Sequence, residues 1–408
     1  MLRHPVLSVI VRSPRLCAVL RGAVLALAAT AAVPPAAVAE GFRVSQSDVL
    51  AARQYVQAEV ASTPARPAPA PVSSGAVRGP LIAAAEWADY TRTFVAPDGR
   101  VVDRENAGIS HSEGQGYGML LAVHAGDRAT FDRIWTFTRR ELQIRGDALL
   151  AWRYVPGAYP RVSDRNNATD GDILVAYALL RAAAAWHVPA YADAAMRMVG
   201  DIGHKLIAWE GGRPVLKPAA YGFDGAGRHG RVVNLSYYFY AAFDLFEVVR
   251  PDFPWAELAE AGRTLTARAR TGKSRLVPDW ASVSRGEIGP APGFPPHASY
   301  DAIRIPLYMA YAGMNDADLS SEDAIWNLRD GGVPTERNLL SDVTLGRMPD
   351  PGYRMVAALA ACQARGAALP AALTRYRSTT YFASSLHLMG LVAVRQGGGC
   401  APAANVGM

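Results

Sequence analysis

One stretch of the chain, ILVAYALLRAAAAW at residues 173–186, is apolar on nearly every side when it is drawn as a helix. A helix of this kind must be enclosed by other elements. Most of nine further segments have apolar residues three and four apart, and no strand pattern alternates with them. The predicted helices cover 82–93, 113–125, 128–142, 170–187, 190–208, 236–249, 254–270, 300–313, 354–364 and 376–394. The sequence therefore predicts an all-α fold of helical hairpins, with buried inner and amphipathic outer helices, long loops between alternate helices, and a short hairpin around 94–102.

The first 39 residues have the pattern of an export signal, which we predict as a signal peptide over 1–39. Arginines precede the apolar run at 23–33, and AVA at 37–39 offers a small-residue cleavage site before Glu40. The apolar run is short for a membrane span, and no later stretch resembles it. We expect a periplasmic or secreted protein without stable membrane insertion once the signal is removed; an uncleaved anchor is the alternative.

The remaining chain is predicted to have three parts. Residues 40–81 form an N-terminal extension, in which 44–60 can form a short amphipathic helix and 62–80 is a Pro/Ala-rich linker. Residues 82–395 form one folded body, long enough to bury a sizeable core. Residues 396–408 are expected to be a flexible tail.

Charge and cysteine content exclude several classes of function. The formal charge is +6, but the arginines are scattered and no basic block carries interleaved aromatics, which disfavours a nucleic-acid partner. The eight histidines are dispersed, and no Cys/His cluster has metal-ligand spacing, so no metal site is expected. Beyond the signal, Cys362 and Cys400 can pair in an oxidising compartment or remain two free thiols.

Three acids share one placement, at the start of a predicted apolar helix. Each follows a residue that can cap the helix, and the pairs are Ser112–Glu113, Thr169–Asp170 and Ser299–Asp301. Gln115 would complete a capping box with Ser112. Singly, each acid can be explained by the helix dipole, which favours an anion by about 0.3–1 kcal/mol. In a barrel of hairpins the inner helices run the same way, so the three carboxylates would meet at one mouth.

Glycines follow the first of these acids, at Gly114, Gly116 and Gly118. Glycine inside a helix costs about 1 kcal/mol relative to alanine, so another requirement must favour it. We expect these glycines to keep the helix thin, so that a ligand can lie across it and neighbouring helices can pack closely. For Gly118, helix packing alone is a sufficient explanation.

Three segments resemble the signature segments of glycoside hydrolase family 8, in that family's order. They are SEGQGYGM at 112–119, NATDGDILVAYALLRAAAAW at 167–186 and SYDAIRIPLY at 299–308. WADYTRTFVAPDGRVVD at 87–103 and VPDWAS at 277–282 are similar to the branch of the family that is encoded with bacterial cellulose synthase. The resemblance covers about residues 82–395 and implies an (α/α)6 barrel with long loops at the active-site end.

The resemblance implies an inverting endo-β-1,4-glucanase that needs no cofactor and uses water as its second substrate. It makes Glu113 the general acid and Asp301 the general base that activates water. Asp170 matches an acid that contacts the sugar at the cleavage point, or acts as nucleophile in some assignments, so its role relative to Asp301 stays open. Repulsion from both acids, with partial desolvation, should raise the pKa of Glu113 above theirs.

The resemblance and the residue types also suggest substrate-binding positions. They are Trp152, Tyr117, Asn234, Ser236, Tyr237, Arg304 and Tyr300. Trp152 is expected either to stack on a sugar ring or to lie in the core, and Tyr117 either to bond in the cleft or to pack. Arg304 is expected to hold Asp301 ionised, with a surface ion pair as the alternative. A further acid, Asp279, is interpreted as structural.

Two other functions remain open at this stage. A family 8 enzyme can act on another β-glycan, such as chitosan, xylan or mixed-linkage glucan. The small number of acidic residues outside the motifs favours a neutral glucan. The second alternative is a non-catalytic glucan-binding subunit. Glu113 and Asp301 argue against it, because a binding groove has no need of both. The expected partners are the β-1,4-glucan itself and, in one possible setting, the cellulose synthase machinery.

Overall fold

The computed structural model describes residues 79–224, 230–284, 286–314, 332–397 and 400. The predicted signal, the segment 44–60 and nearly all of the linker and the tail lie outside the described residues. The boundaries of those parts stay predictions.

Ten α-helices are present in the described ranges, one for each predicted helix. They are α1 (Ala84–Phe94), α2 (Ser112–Ala125), α3 (Arg128–Glu141), α4 (Thr169–Trp186), α5 (Pro189–Leu206), α6 (Tyr240–Val249), α7 (Trp255–Ala269), α8 (Arg304–Tyr311), α9 (Pro351–Arg365) and α10 (Tyr381–Gly397). Two 3-10 turns, Leu235–Tyr237 and Ala371–Thr374, precede α6 and α10. In this part of the chain no helix is both long and apolar enough to cross a membrane.

Six of the helices form a closed inner ring. Each of these helices contacts the next in the order α2, α4, α6, α8, α9 and α10, and α10 contacts α2. Helices α1, α3, α5 and α7 lie outside this ring, and each packs on an inner helix. Helices α2 and α4 are buried along most of their length, whereas α3 and α5 bury one face. The prediction of an all-α barrel of helical hairpins is confirmed.

Within the described residues, ten short strands lie in the connections that lead into inner helices. They are β1 (Ser110–His111), β2 (Arg153–Tyr154), β3 (Ile207–Glu210), β4 (Arg213–Leu216), β5 (Arg231–Val233), β6 (Ala281–Ser284), β7 (Glu287–Pro290), β8 (His297–Ala298), β9 (Thr335–Asn338) and β10 (Thr344–Arg347). They pair antiparallel as β1–β2, β3–β4, β5–β6–β7 and β8–β9–β10. The sequence did not indicate these strands, because strands of two to four residues are too short to show a clear alternation of apolar and polar residues. The predicted 94–102 hairpin is reduced to one bridge, Val95–Val101.

The three glycines of α2 face protein atoms. A Cβ on Gly116 would lie 2.6 Å from the Cβ of Leu174 in α4, and one on Gly118 would lie 2.7 Å from Val101. A Cβ on Gly114 would lie 3.0 Å from the hydroxyl of Tyr381. The prediction of close helix packing is confirmed. The idea that a glucan lies across these glycines is wrong, because neighbouring elements already fill the space beside them.

The two cysteines left open by the sequence form a disulfide. Cys362 near the end of α9 is bonded to Cys400, which follows α10, with a Cα–Cα distance of 5.8 Å. The bond therefore joins the chain beyond α10 to the neighbouring inner helix.

Substitution of Gly116 by alanine should destabilise the barrel. The added methyl meets Leu174 at 2.6 Å, and overpacking of a tight core costs about 1–3 kcal/mol. Urea unfolding followed by circular dichroism measures the change. Gly397→Ala at the end of α10 is the matched control, since a Cβ there meets nothing within 4 Å. Equal stability of the two variants would contradict the packing explanation.

Candidate active site

Three carboxylates converge on the guanidinium of Arg304. Its Nη1 donates to Glu113 Oε2 at 2.7 Å and to Asp170 Oδ2 at 2.8 Å, and its Nη2 donates to Asp301 Oδ1. The Arg304 side chain is fully buried, and each carboxylate side chain is at most 7% exposed. The residues that begin or precede α2, α4 and α8 therefore share one cation at one end of the barrel, as the sequence predicted for the three acids.

The first turn of α2 places Glu113, but its cap differs from the prediction. His111 is the N-cap, and its Nδ1 accepts a hydrogen bond from the Gly114 backbone N–H at 3.1 Å. Ser112 already belongs to the helix. Gln115 forms no capping box, because its Oε1 accepts from the Val101 N–H at 2.7 Å. This inner helix is enclosed on all sides, so its polar side chains bond to neighbouring loops.

The first turn of α4 places Asp170, again without the predicted cap. The N-cap position is Ala168, and the Thr169 hydroxyl donates to the carbonyl of Lys217 at 2.7 Å. Asp172, in the same first turn, accepts from the Leu150 N–H at 2.8 Å and from the amide of Asn167. These bonds fix the loops on either side of Asp170.

Asp301 lies in a turn before α8, not in the first helical turn as predicted, because the helix begins only at Arg304. Asp279 holds this turn. Its Oδ1 accepts from the backbone N–H groups of Ser299 and Ala302, both at 2.9 Å, and its Oδ2 accepts from the Ser299 hydroxyl. Ser299 is thereby occupied and does not cap α8. The structural interpretation of Asp279 agrees with these contacts.

The segment Asn234–Tyr237 supports Arg304 from the side of α6. Ser236 Oγ accepts from Arg304 Nη2 at 2.8 Å and donates to Asn234 Oδ1 at 2.7 Å. The Tyr237 ring lies 5.4 Å from the guanidinium carbon. The structure therefore brings all three predicted residues to the site, where they contact the arginine and one another.

The other predicted binding residues lie in three different settings. Tyr117 is fully buried and its hydroxyl bonds to that of Tyr308, which places it in the core. Tyr300 is partly buried beside Tyr353, with a ring-centroid distance of 5.8 Å. Trp152 is 5% exposed and donates from Nε1 to Asp164 Oδ2 at 2.8 Å.

Trp152 lines a narrow pocket beside the acid cluster. Tyr237, Trp280 and Phe223 also line it, and the last two rings stack with centroids 6.0 Å apart. Tyr237 connects this pocket to Arg304, because the same ring contacts the guanidinium. A narrow aromatic pocket therefore lies next to the buried carboxylates.

Two residues of the site were missed by the sequence analysis. The Tyr381 hydroxyl, at the start of α10, donates to Glu113 Oε1 at 3.3 Å. His111 packs edge-on against the Tyr381 ring at 5.4 Å. The position of His111 directly before the acid helix was an available signal. Nothing in the sequence around Tyr381 marked it, since its contact depends on the closure of the ring.

Comparison with known proteins identifies the fold and the chemistry. Residues 74–396 match the family model of glycosyl hydrolases family 8. The chain belongs to this family. It is 38% identical over 331 residues to a probable endoglucanase of Novacetimonas hansenii, covering 79% of this chain and 94% of that relative.

Solved structures of this hydrolase family have the same barrel. The endo-β-1,4-glucanase CMCax of Acetobacter xylinum matches with a TM-score of 0.69 and 37% identity, over 76% of this chain and 96% of that one. A family 8 endo-β-1,4-glucanase from an Achatina fulica gut metagenomic library matches with a TM-score of 0.70 and 32% identity, over 76% and 97%. The (α/α)6 barrel and a glycoside hydrolase activity are thus established for this chain.

Burial governs the protonation of this family 8 site. Desolvation raises the pKa of Glu113, and Arg304 and His111 only partly oppose it. Desolvation raises the pKa of Asp301 well above its usual value, against the pull of Arg304 and with added repulsion from Asp279. The expectation that Arg304 holds Asp301 ionised is therefore outweighed by desolvation. Glu113 and Asp301 share one cation, and burial favours retention of a proton on this pair.

Replacement of Arg304 by methionine should destabilise the protein more at pH 7 than at pH 4. Without the cation, the pKa of Glu113 and of Asp301 rises further, so the folded state holds protons that the unfolded state releases above about pH 4. The loss in unfolding free energy should therefore grow with pH and reach about 3–5 kcal/mol at pH 7. Urea unfolding at both pH values measures it.

Arg128→Met on the surface of α3 is the matched control. Its partner Asp132 is 3.6 Å away and both side chains are about half exposed, so the loss should stay below about 1 kcal/mol. A loss for Arg304→Met that is the same at both pH values would contradict the shared-proton account.

Proposed function

We propose that this chain is an endo-β-1,4-glucanase that hydrolyses β-1,4-glucan with inversion at the anomeric carbon. The observation that carries the proposal is the cluster of Glu113, Asp170 and Asp301 around Arg304, at the mouth of a family 8 barrel. Relatives that match over most of both chains are named endoglucanases, which favours cellulose-like substrates within the family.

Glu113 is proposed as the general acid. Burial raises its pKa, so it can hold a proton near neutral pH and deliver it to the leaving glycosidic oxygen as the C1–O bond breaks. The Tyr381 hydroxyl donates to its Oε1 and Arg304 to its Oε2, so the orientation of the carboxyl is fixed on both sides.

Asp301 is proposed as the general base that takes a proton from the attacking water. This role requires Asp301 to be ionised while Glu113 carries the proton. Burial raises the pKa of both carboxyls and Arg304 pairs with each, so the proposal places the retained proton on Glu113 when the substrate is bound. Both carboxyls pair with the same guanidinium. Inversion requires them to lie roughly 6.5–9.5 Å apart when the substrate is bound, so that a water fits between the base and the sugar. Asp170 is proposed to contact the sugar at the cleavage point, with a nucleophile role as the alternative.

The rim of the pocket of Trp152, Tyr237 and Trp280 is proposed to contact a glucosyl unit next to the cleavage point. Aromatic faces bind the apolar faces of a pyranose. Another β-glycan, such as chitosan, xylan or mixed-linkage glucan, is the competing substrate class.

The protein is further proposed to act outside the cytoplasm, in the periplasm or after secretion, and to trim glucan that leaves a cellulose synthase. The export-signal pattern of residues 1–39 supports the location. The Cys362–Cys400 disulfide supports it as well, because such bonds persist in oxidising compartments. Cell fractionation of the full chain in its host tests this, and retention in the cytoplasm would contradict it.

Glu113→Gln should abolish hydrolysis of carboxymethyl cellulose without unfolding the protein. Loss of a general acid typically costs about 10²–10⁴-fold in rate, and we expect at least about a hundredfold fall in new reducing ends. Glu257→Gln on the exposed face of α7 removes the same charge away from the site and should keep full activity.

Product stereochemistry and substrate rank complete the test. Proton NMR of the first products should show the α-anomer, and a β-anomer would contradict inversion. Higher activity on chitosan or xylan would reassign the substrate within the family. A folded protein with no activity on any of the three polymers would indicate a glucan-binding subunit instead.

A further inference from the structure

His111 lies between the proposed general acid and a buried carboxylate that the reaction does not use. It ends β1 and caps α2, and its side chain is 13% exposed. Its Nδ1 accepts from the Gly114 N–H at 3.1 Å, and its Nε2 lies 3.4 Å from Asp103 Oδ2. An acceptor at Nδ1 requires the neutral ring to carry its hydrogen on Nε2, pointing at Asp103.

The ring also packs on Tyr381, the residue whose hydroxyl donates to the carboxyl of Glu113. A Cβ on Gly114 would lie 3.4 Å from His111 Cε1 and 3.0 Å from the Tyr381 hydroxyl, the same hydroxyl that donates to Glu113. The imidazole and the tyrosine ring pack edge to face. A change in the charge or position of the imidazole therefore reaches the acid through Tyr381 and through the first turn of α2.

Two groups act in opposite directions on the addition of a second proton to the His111 ring. Asp103 is 7% exposed and its Oδ1 has no hydrogen-bond partner among the described residues, so it favours an imidazolium. The backbone N–H of Gly114 opposes it, because a proton on Nδ1 would turn the acceptor into a second donor. The other charged or titratable groups around the ring are Glu113 on α2, Asp170 on α4, Tyr381 on α10, Arg304 on α8 and Arg153, which pairs with His111 across β1–β2.

We propose that His111 is a positioning residue for Glu113: its neutral ring holds the first turn of α2 and its protonation releases that turn. The inference rests on the proposed function, in which Glu113 is the general acid. Protonation acts on the acid in two ways. It breaks the bond to Gly114, one residue after Glu113, and it places a positive charge beside the carboxyl, which lowers the pKa of Glu113. Both effects reduce activity as pH falls.

The pH dependence of kcat/KM in three variants tests this role. His111→Asn keeps a side-chain acceptor for Gly114 but cannot titrate, since asparagine is a preferred N-cap. We expect activity within about threefold of the parent at the optimum, and an acidic limb moved to lower pH by about one unit. His111→Phe keeps the bulk but removes the acceptor, and kcat should fall about tenfold or more at every pH, with KM little changed. His187→Asn, at an exposed turn after α4, is the control and should leave the profile unchanged.

An acidic limb of His111→Asn identical to that of the parent would overturn the inference, as would an unchanged kcat in folded His111→Phe. Asp103→Asn provides a second check. It removes the group that favours the imidazolium and should also move the acidic limb to lower pH, with the cap retained.

A measurement without substrate separates this inference from the proposed function. Desolvation opposes a charge on the His111 ring, but Asp103 and Glu113 outweigh it and raise the pKa of the ring. Nitrogen-15 NMR should therefore show the Nε2–H tautomer of His111 at pH values above that pKa, and the Gly114 amide signal should titrate together with the ring. A ring protonated on Nδ1 throughout, or a Gly114 amide that does not follow it, would contradict the inference. Absence of hydrolysis in the parent, with this titration present, would instead contradict the proposed function and leave the cap in place.

Discussion

The buried guanidinium of Arg304 joins three inner helices that would otherwise bring only negative side chains together. Its two terminal nitrogens bond to Glu113, Asp170, Asp301 and Ser236. A buried cation is costly unless its donors are satisfied, and buried carboxylates are costly without a cation. The arginine and the three acids therefore stabilise each other, and the mouth of the barrel depends on all four.

Helix direction adds to this balance. Because the inner helices run in the same direction, their N-termini lie at one end of the barrel. The acids lie at this end, at or next to the starts of α2, α4, α8 and α10. Their positive dipole ends favour anions there. Desolvation nevertheless dominates at Glu113 and Asp301 and raises the pKa of both. The same barrel that provides favourable helix ends also removes water, and the result is a cluster that keeps a proton for catalysis.

Two kinds of acid stand at this mouth, and their donors distinguish them. Asp279 and Asp172 accept hydrogen bonds from backbone N–H groups and thereby fix loops, with burial raising the pKa of Asp172 to about 8. Glu113, Asp170 and Asp301 share the side-chain cation of Arg304 instead. Glu113 also accepts from the Tyr381 hydroxyl, and Asp170 accepts from the Gly171 N–H. The aromatic pocket of Trp152 begins beside this second group, because Tyr237 lines the pocket and also contacts the Arg304 guanidinium.

The sequence by itself determined the helices, their order and the three acids, because each of these is a local pattern. Apolar spacing identified all ten helices, and an acid after a polar residue marked the mouth. Tertiary structure decided what the polar side chains bond to. It replaced Ser112 by His111 as the cap of α2, moved the start of α8 to Arg304, and turned the glycines of α2 toward protein. These outcomes depend on residues far away in the chain, such as Tyr381 against Glu113 and Leu174 against Gly116. A local pattern cannot indicate such contacts, since they exist only once the ring of helices has closed.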